Sequence, residues 1–113
     1  MKFSIVALTL ISVAVADKLR FETHFDSQCS NTFIGDNLGT GCYNFGSFGT
    51  ASYSAQLTSG GSALCSSGQP HVNLYKDYDC KDQFDTLGPV TSTRQCVTVG
   101  SNPKPVSAKV VCQ

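Results

Sequence analysis

The chain has 113 residues, six cysteines, no tryptophan, and eight basic residues balanced by eight acidic ones. That length fits one small domain. The charge balance excludes the basic patch of a nucleic-acid binder and the cationic amphipathic helix of a membrane-active peptide. The closest cysteines, Cys29 and Cys42, are thirteen positions apart, too far for the paired ligands of a structural zinc site.

Residues 1–16 read as a signal peptide: Lys2 supplies the positive start, Phe3 to Val13 the apolar run, and Ala14-Val15-Ala16 the small-x-small cleavage site. The run is too short to span about 30 Å of hydrocarbon, and no apolar tail closes the chain, so no membrane anchor is expected. The 113 residues less these 16 leave 97, from Asp17 onward. Losing Lys2 leaves seven basic against eight acidic residues, a net charge of −1. The six cysteines are an even number in an exported chain, so three disulfides and a secreted, extracellular location follow. No Asn-x-Ser/Thr sequon occurs.

In chain order, Leu19, Phe21, Thr23 and Phe25 alternate with Arg20, Glu22 and His24, which predicts a half-buried strand. Thr32-Phe33-Ile34 predicts a second strand, and Gly35 to Gly41 a loop. Cys42 to Phe45 resumes as strand. Ala51 to Leu57 predicts a fourth, with Ala51, Tyr53, Ala55 and Leu57 on one face. Residues 58–70, rich in Ser and Gly around Cys65, read as a connector, long enough that a disulfide should tie it down. Beyond it Val72 and Leu74 alternate with His71, Asn73 and Tyr75, and Gln83 to Leu87, Gln95 to Val99 and Val106 to Cys112 follow as strands. No window has sustained helical spacing, and the pattern is all-β.

The plan occurs twice: motif one over about 18–57 and motif two over about 71–112. With Cys80 set on Cys29, Asp77 falls on Asp26 and Phe84 on Phe33. A three-residue insertion sets Cys96 on Cys42, and a further single-residue gap brings Ser107-Ala108 onto Ser54-Ala55. Six cysteines allow fifteen pairings. Equivalent copies favour Cys29–Cys42 and Cys80–Cys96, leaving Cys65–Cys112. Two four-stranded motifs suggest a disulfide-stapled sandwich of Greek-key-like halves.

Val72-x-Leu74-Tyr75, the polar turn after it, and the closing Ser107-x-Lys109-Val110 strand resemble the βγ-crystallin Greek-key motif, with the Cys80-Lys81-Asp82 region where that family commonly has glycine. The chain is similar to small secreted fungal proteins of this type, the crystallin-like killer toxins and effectors. The resemblance implies a non-enzymatic protein that binds a target-cell or cell-wall component, and the chain is expected to be a monomer. It also implies calcium loops, which would fall at Asn102 to Ser107 and at Gly49 to Ser54. The first has Pro103 and Lys104 in place of ligands and the second has no Asn or Asp, so no calcium or other cofactor is expected there.

The densest charge cluster, Lys76, Asp77, Tyr78, Asp79, Cys80, Lys81 and Asp82, is a solvated hairpin tip and the first candidate contact loop for an extracellular protein or cell-wall glycan. Tyr43, Phe45, Phe48 and Tyr53 suit a core; exposed, they would form a sugar-stacking strip. Gly88 to Gln95, with Arg94, would be the presented loop of a protease inhibitor. His24 and His71 read as surface residues. Glu22 is the lone glutamate, and nothing pairs it or Asp26, Asp36, Asp77 or Asp85 into a catalytic couple. With no nucleophile-elbow or metalloprotease motif either, the chain does not read as an enzyme.

Overall fold

The computed structural model describes residues 18–58 and 64–113. The signal-peptide reading of residues 1–16 and the middle of the connector, 59–63, lie outside them. Eight strands form: β1 (Lys18–His24), β2 (Thr32–Leu38), β3 (Tyr43–Asn44), β4 (Ser52–Thr58), β5 (Pro70–Tyr75), β6 (Gln83–Leu87), β7 (Gln95–Thr98) and β8 (Ser107–Cys112). They make two antiparallel four-stranded sheets, ordered β2-β1-β4-β7 and β3-β8-β5-β6. Each half therefore keeps its first, second and fourth strands together and gives its third strand to the sheet of the other half.

The inward residues of the alternating strands meet between the sheets. Leu19, Phe21, Tyr53 and Ala55 come from one, Val72, Leu74, Ala108 and Val110 from the other, and Leu38, Val90 and Val99 complete the cluster. Phe21 sits at its centre, with ring centroids 5.3 Å from Phe45 and 6.1 Å from Tyr53. The β2 strand runs on into the stretch expected to be a loop as far as Leu38, pairing Glu22 with Gly35 and Leu19 with Leu38, and only residues 39–41 remain outside it. Gly35 is tolerated because the Arg20 guanidinium lies where a Cβ would go, and burial of Leu38 anchors the far end.

The exchanged third strands correct the disulfide pairing. Cys29 bonds to Cys96 and Cys42 to Cys80, not Cys29 to Cys42 and Cys80 to Cys96. Cys96 lies in β7 and Cys42 immediately precedes β3, so each travels with an exchanged strand and arrives beside the turn that follows β1 or β5. The repeat is symmetric, as the sequence indicated, but its bridges run between the halves rather than within them. The third bridge joins Cys65 to Cys112 and fixes the end of the connector to β8.

The register of the repeat also shifts. Thr98 pairs with Ser52 as Asn44 pairs with Ser107, so Ser107 corresponds to Ser52 rather than to Ser54. The second half gains a residue before its last strand where the sequence alignment removed one. The segment corresponding to 102–107 is therefore 47–52, which also lacks Asn and Asp.

The two corresponding serines do the same work. Ser52 Oγ donates to the carbonyl of Asp26 and accepts from the amide of Cys29; Ser107 Oγ donates to the carbonyl of Asp77 and accepts from the amide of Cys80. Each serine is buried and pins a folded turn whose cysteine has a left-handed backbone, φ 59° at Cys29 and 55° at Cys80. Such a conformation costs a non-glycine residue about 1–2 kcal/mol, and the serine and disulfide hold it. Ser107→Ala is expected to destabilise the fold by about 1–3 kcal/mol, because it strands the Cys80 amide and the Asp77 carbonyl. The midpoint of a urea unfolding curve measures this, and an unchanged midpoint would contradict the pinning role.

Candidate functional site: an exposed phenylalanine cluster

The alternation that buries Leu19 and Phe21 would place Phe25 inside. It does not, because the β1–β2 pairing shifts register between Thr23 and His24. Beyond the shift Thr23 and His24 are both buried and Phe25 turns outward, 43% exposed. An equivalent shift interrupts β5 between Leu74 and Tyr75. Phe25 then lies 4.6 Å, centroid to centroid, from Phe33 at the start of β2, and Phe33 lies 6.0 Å from Phe48 in the β3–β4 loop. Phe33 is 40% and Phe48 78% exposed. Gly49, at φ +70°, brings the loop onto the Phe25 ring so closely that a Cβ there would meet ring carbons at 2.8 Å. Isolated exposed hydrophobics are ordinary, but neighbouring exposed rings are a mark of interaction surfaces.

The supports of the cluster are firm. The turn after β1 is organised by Asp26, whose carboxylate accepts from the amides of Gln28, Ser30 and Asn31 and from the Ser30 hydroxyl. These bonds, the Ser30 hydroxyl first, hold its carboxyl at about 2. The Phe25 amide bonds to the Asn31 carbonyl, and the Ala51 amide to the His24 carbonyl. Disulfide Cys29–Cys96 closes the turn from beneath.

The other residues singled out by sequence fall apart from this cluster. In the aromatic group, Phe45 and Tyr43 pack at 5.7 Å and lie against the core, and Tyr53 is buried; Phe48 alone joins the exposed rings. The Lys76–Asp82 segment forms a folded turn containing a 3-10 turn, Tyr78–Cys80, capped by Asp77. Lys76 pairs with Asp82 at 3.4 Å, and Asp79 exchanges hydrogen bonds with Asn44, its amide to Oδ1 at 2.7 Å and its carboxylate to Nδ2 at 3.1 Å. Tyr78 is exposed, as are Asp77, Asp79, Lys81 and Asp82. The loop is thus an ordered surface feature, tied to β3 of the other half by Asn44 and Cys42.

His24 is not a surface residue but fully buried. Its Nε2 shares a hydrogen bond with Ser54 Oγ at 2.9 Å and its Nδ1 one with Thr32 Oγ1 at 3.1 Å, beneath Glu22 and Arg94. Burial, aided by Arg94 and opposed by Glu22, lowers its pKa below the ordinary 6.5. A base whose folded-state pKa is depressed stabilises the fold above its unfolded value and loses that contribution as pH falls through the folded one. Thermal stability is therefore expected to decline as the pH drops below 6.5, with a second decline from 3.8 towards about 2 as Asp26 protonates. An NMR titration of the His24 ring checks the first step; titration at or above 6.5 would contradict it. Arg94, the centre of the inhibitor-like loop, folds back instead, donating to the Cys29 carbonyl at 2.7 Å and lying 3.8 Å from Glu22.

Comparison of the chain with protein-family models, with curated proteins and with solved structures finds no match. The structure itself defines the class: a small all-β, sandwich-like protein held by three disulfides, which fit an oxidising, extracellular environment.

Proposed function

We propose that this is a non-enzymatic secreted binding protein of the effector or toxin type, which docks on an extracellular protein partner through Phe25, Phe33 and Phe48. The cluster carries the reading. Aromatic side chains give much contact area with few rotors to immobilise, which is why they dominate binding hot spots. The rings are inclined at 45° and 61° to one another. Such a tilted knob suits an apolar pocket on a protein better than the flat face of a linear glycan, which needs rings presented side by side. The folded-back Arg94 weighs against an inhibitor loop. The exchanged third strands, the paired left-handed cysteines and their pinning serines support a βγ-crystallin-like, Greek-key reading of the architecture.

The test is a growth assay on a panel of yeasts and filamentous fungi, together with binding to their intact cells, using the oxidised mature protein. Wild type is expected to bind and inhibit at least one of them. The triple variant Phe25→Ser, Phe33→Ser, Phe48→Ser is expected to keep its fold and lose both effects. A folded triple variant that binds as well as wild type would remove the cluster from the interaction.

A further inference from the structure

A concave site lies mainly on the second half, where the two sheets meet. Tyr53 of β4 and Val97 of β7 line it from one sheet, Phe84 and Asp85 of β6 from the other, and Asn102 and Pro103 close it from the β7–β8 loop. Its volume is about 370 Å³, at the lower end of ligand pockets and room for a single small ring rather than a large ligand. In the corrected register of the repeat, Phe84 corresponds to Phe33 and Pro103 to Phe48. The halves thus present different chemistry at equivalent places, an aromatic knob in one and a polar cleft in the other.

The polar groups of this cleft converge. Tyr53, buried, donates its hydroxyl to Asp85 Oδ2 at 3.0 Å, which fixes that carboxylate against an aromatic wall. Asp85 Oδ1 accepts from the amide of Thr86. Among the described residues the ion pairs engage Glu22 and Asp82 but not Asp85, and no cation lines the cleft. The charge of Asp85 is therefore open to a cation from outside. Asn102, in the β7–β8 loop, adds an exposed amide, able both to donate and to accept, to the lining. Phe84 and Pro103 supply apolar surface between them.

We infer that this cleft is a second binding site, for an amino sugar of the glucosamine type, with the ammonium on Asp85, ring hydroxyls on Asn102, and ring carbons against Phe84 and Pro103. An anionic ligand has no partner here. A simple alkylammonium, such as a lysine side chain, would satisfy Asp85 but bring only methylene groups to Asn102. A neutral sugar would leave the carboxylate without its counter-charge. The amino sugar matches all three surfaces.

The test uses the oxidised mature protein, titrated by calorimetry and by amide NMR with a glucosamine hexamer, an N-acetylglucosamine hexamer and n-butylammonium. The glucosamine oligomer is expected to bind and to shift the amides of Phe84, Asp85 and Asn102. Acetylation removes the charge and is expected to weaken binding about tenfold or more, the scale of a charge-assisted hydrogen bond. Asp85→Asn keeps the shape of the side chain and is expected to weaken binding by the same factor, and Asn102→Ala, on the exposed wall, several-fold. Asp36→Asn, a carboxylate elsewhere on the surface, and the triple phenylalanine variant are expected to bind as wild type does. Absence of binding, equal binding of the acetylated oligomer or of butylammonium, an unaffected Asp85→Asn variant, or an equal loss in Asp36→Asn would each overturn the assignment.

Discussion

Removing the Cys29–Cys96 bridge by Cys29→Ala with Cys96→Ala is expected to lower the unfolding free energy by about 4 kcal/mol, a large share of what a domain this small possesses. The bridge spans 67 residues of chain, and in the chain-entropy account a crosslink restricts the unfolded chain more as its loop lengthens. Cys42–Cys80 spans 38 and is expected to contribute nearly as much. Pairing within each half would have closed loops of only about fifteen residues, worth about 3 kcal/mol each. Both long bridges also end at a left-handed cysteine, so their loss frees a backbone that is itself unfavourable. Reduction of all three is expected to unfold the protein or expose it to protease. Urea unfolding of the double variant and limited proteolysis of the reduced form measure these effects, and a reduced form as resistant as the oxidised one would contradict them.

Phe21→Ala is expected to cost about 3–5 kcal/mol, the range for emptying a buried aromatic position. Phe21 is 1% exposed and lies between the Phe45 and Tyr53 rings, in the core between the two sheets. The Ala55 that pairs with it across β4 is too small to close the gap. Phe48→Ala, by contrast, changes a side chain that is 78% exposed and is expected to alter stability by no more than about 0.5 kcal/mol. The pair separates two roles that composition alone leaves merged: one phenylalanine builds the core, the other is available to a partner. Denaturant midpoints of the two variants test the contrast, and similar losses for both would refute it.

The strands were legible because alternation is a local signal. Leu19 and Phe21, Val72 and Leu74, and Ala108 and Val110 all face the core as their spacing indicates. The two-fold plan was legible as well, from Cys29 and Cys80 and the residues around them. The exchange of β3 and β7 was not, since a strand carries no mark of which sheet it joins. The pairing of Cys29, Cys42, Cys80 and Cys96 depended on that exchange and failed with it, whereas Cys65–Cys112 is as expected. The phenylalanine cluster stayed hidden for a different reason. A register shift of one residue at Thr23–His24 reverses which side chains face in, and it turned the expected core residue Phe25 outward and the expected surface residue His24 inward. The one available hint was Gly49, in a loop whose neighbours Ser47 and Phe48 leave an aromatic ring without an obvious inward position. The cleft at Asp85 was equally hidden, since it draws on β4, β6, β7 and a loop, segments far apart in sequence.

Both surface sites rest on the interlocked arrangement of the halves, and the bridges record that arrangement covalently. The direct test is a disulfide map of the unreduced protein, cleaved before Asp26, Asp36 and Asp77 and after Arg94 and Lys109, and read by mass spectrometry. These cuts separate Cys29 from Cys42 and Cys96 from Cys112. Exchange of the third strands requires the fragment with Cys29 to be joined to the one with Cys96, and the fragment with Cys80 to the one with Cys42. A fragment joining Cys29 to Cys42 would show halves closed on themselves, and the account of the fold and of both sites would fall with it.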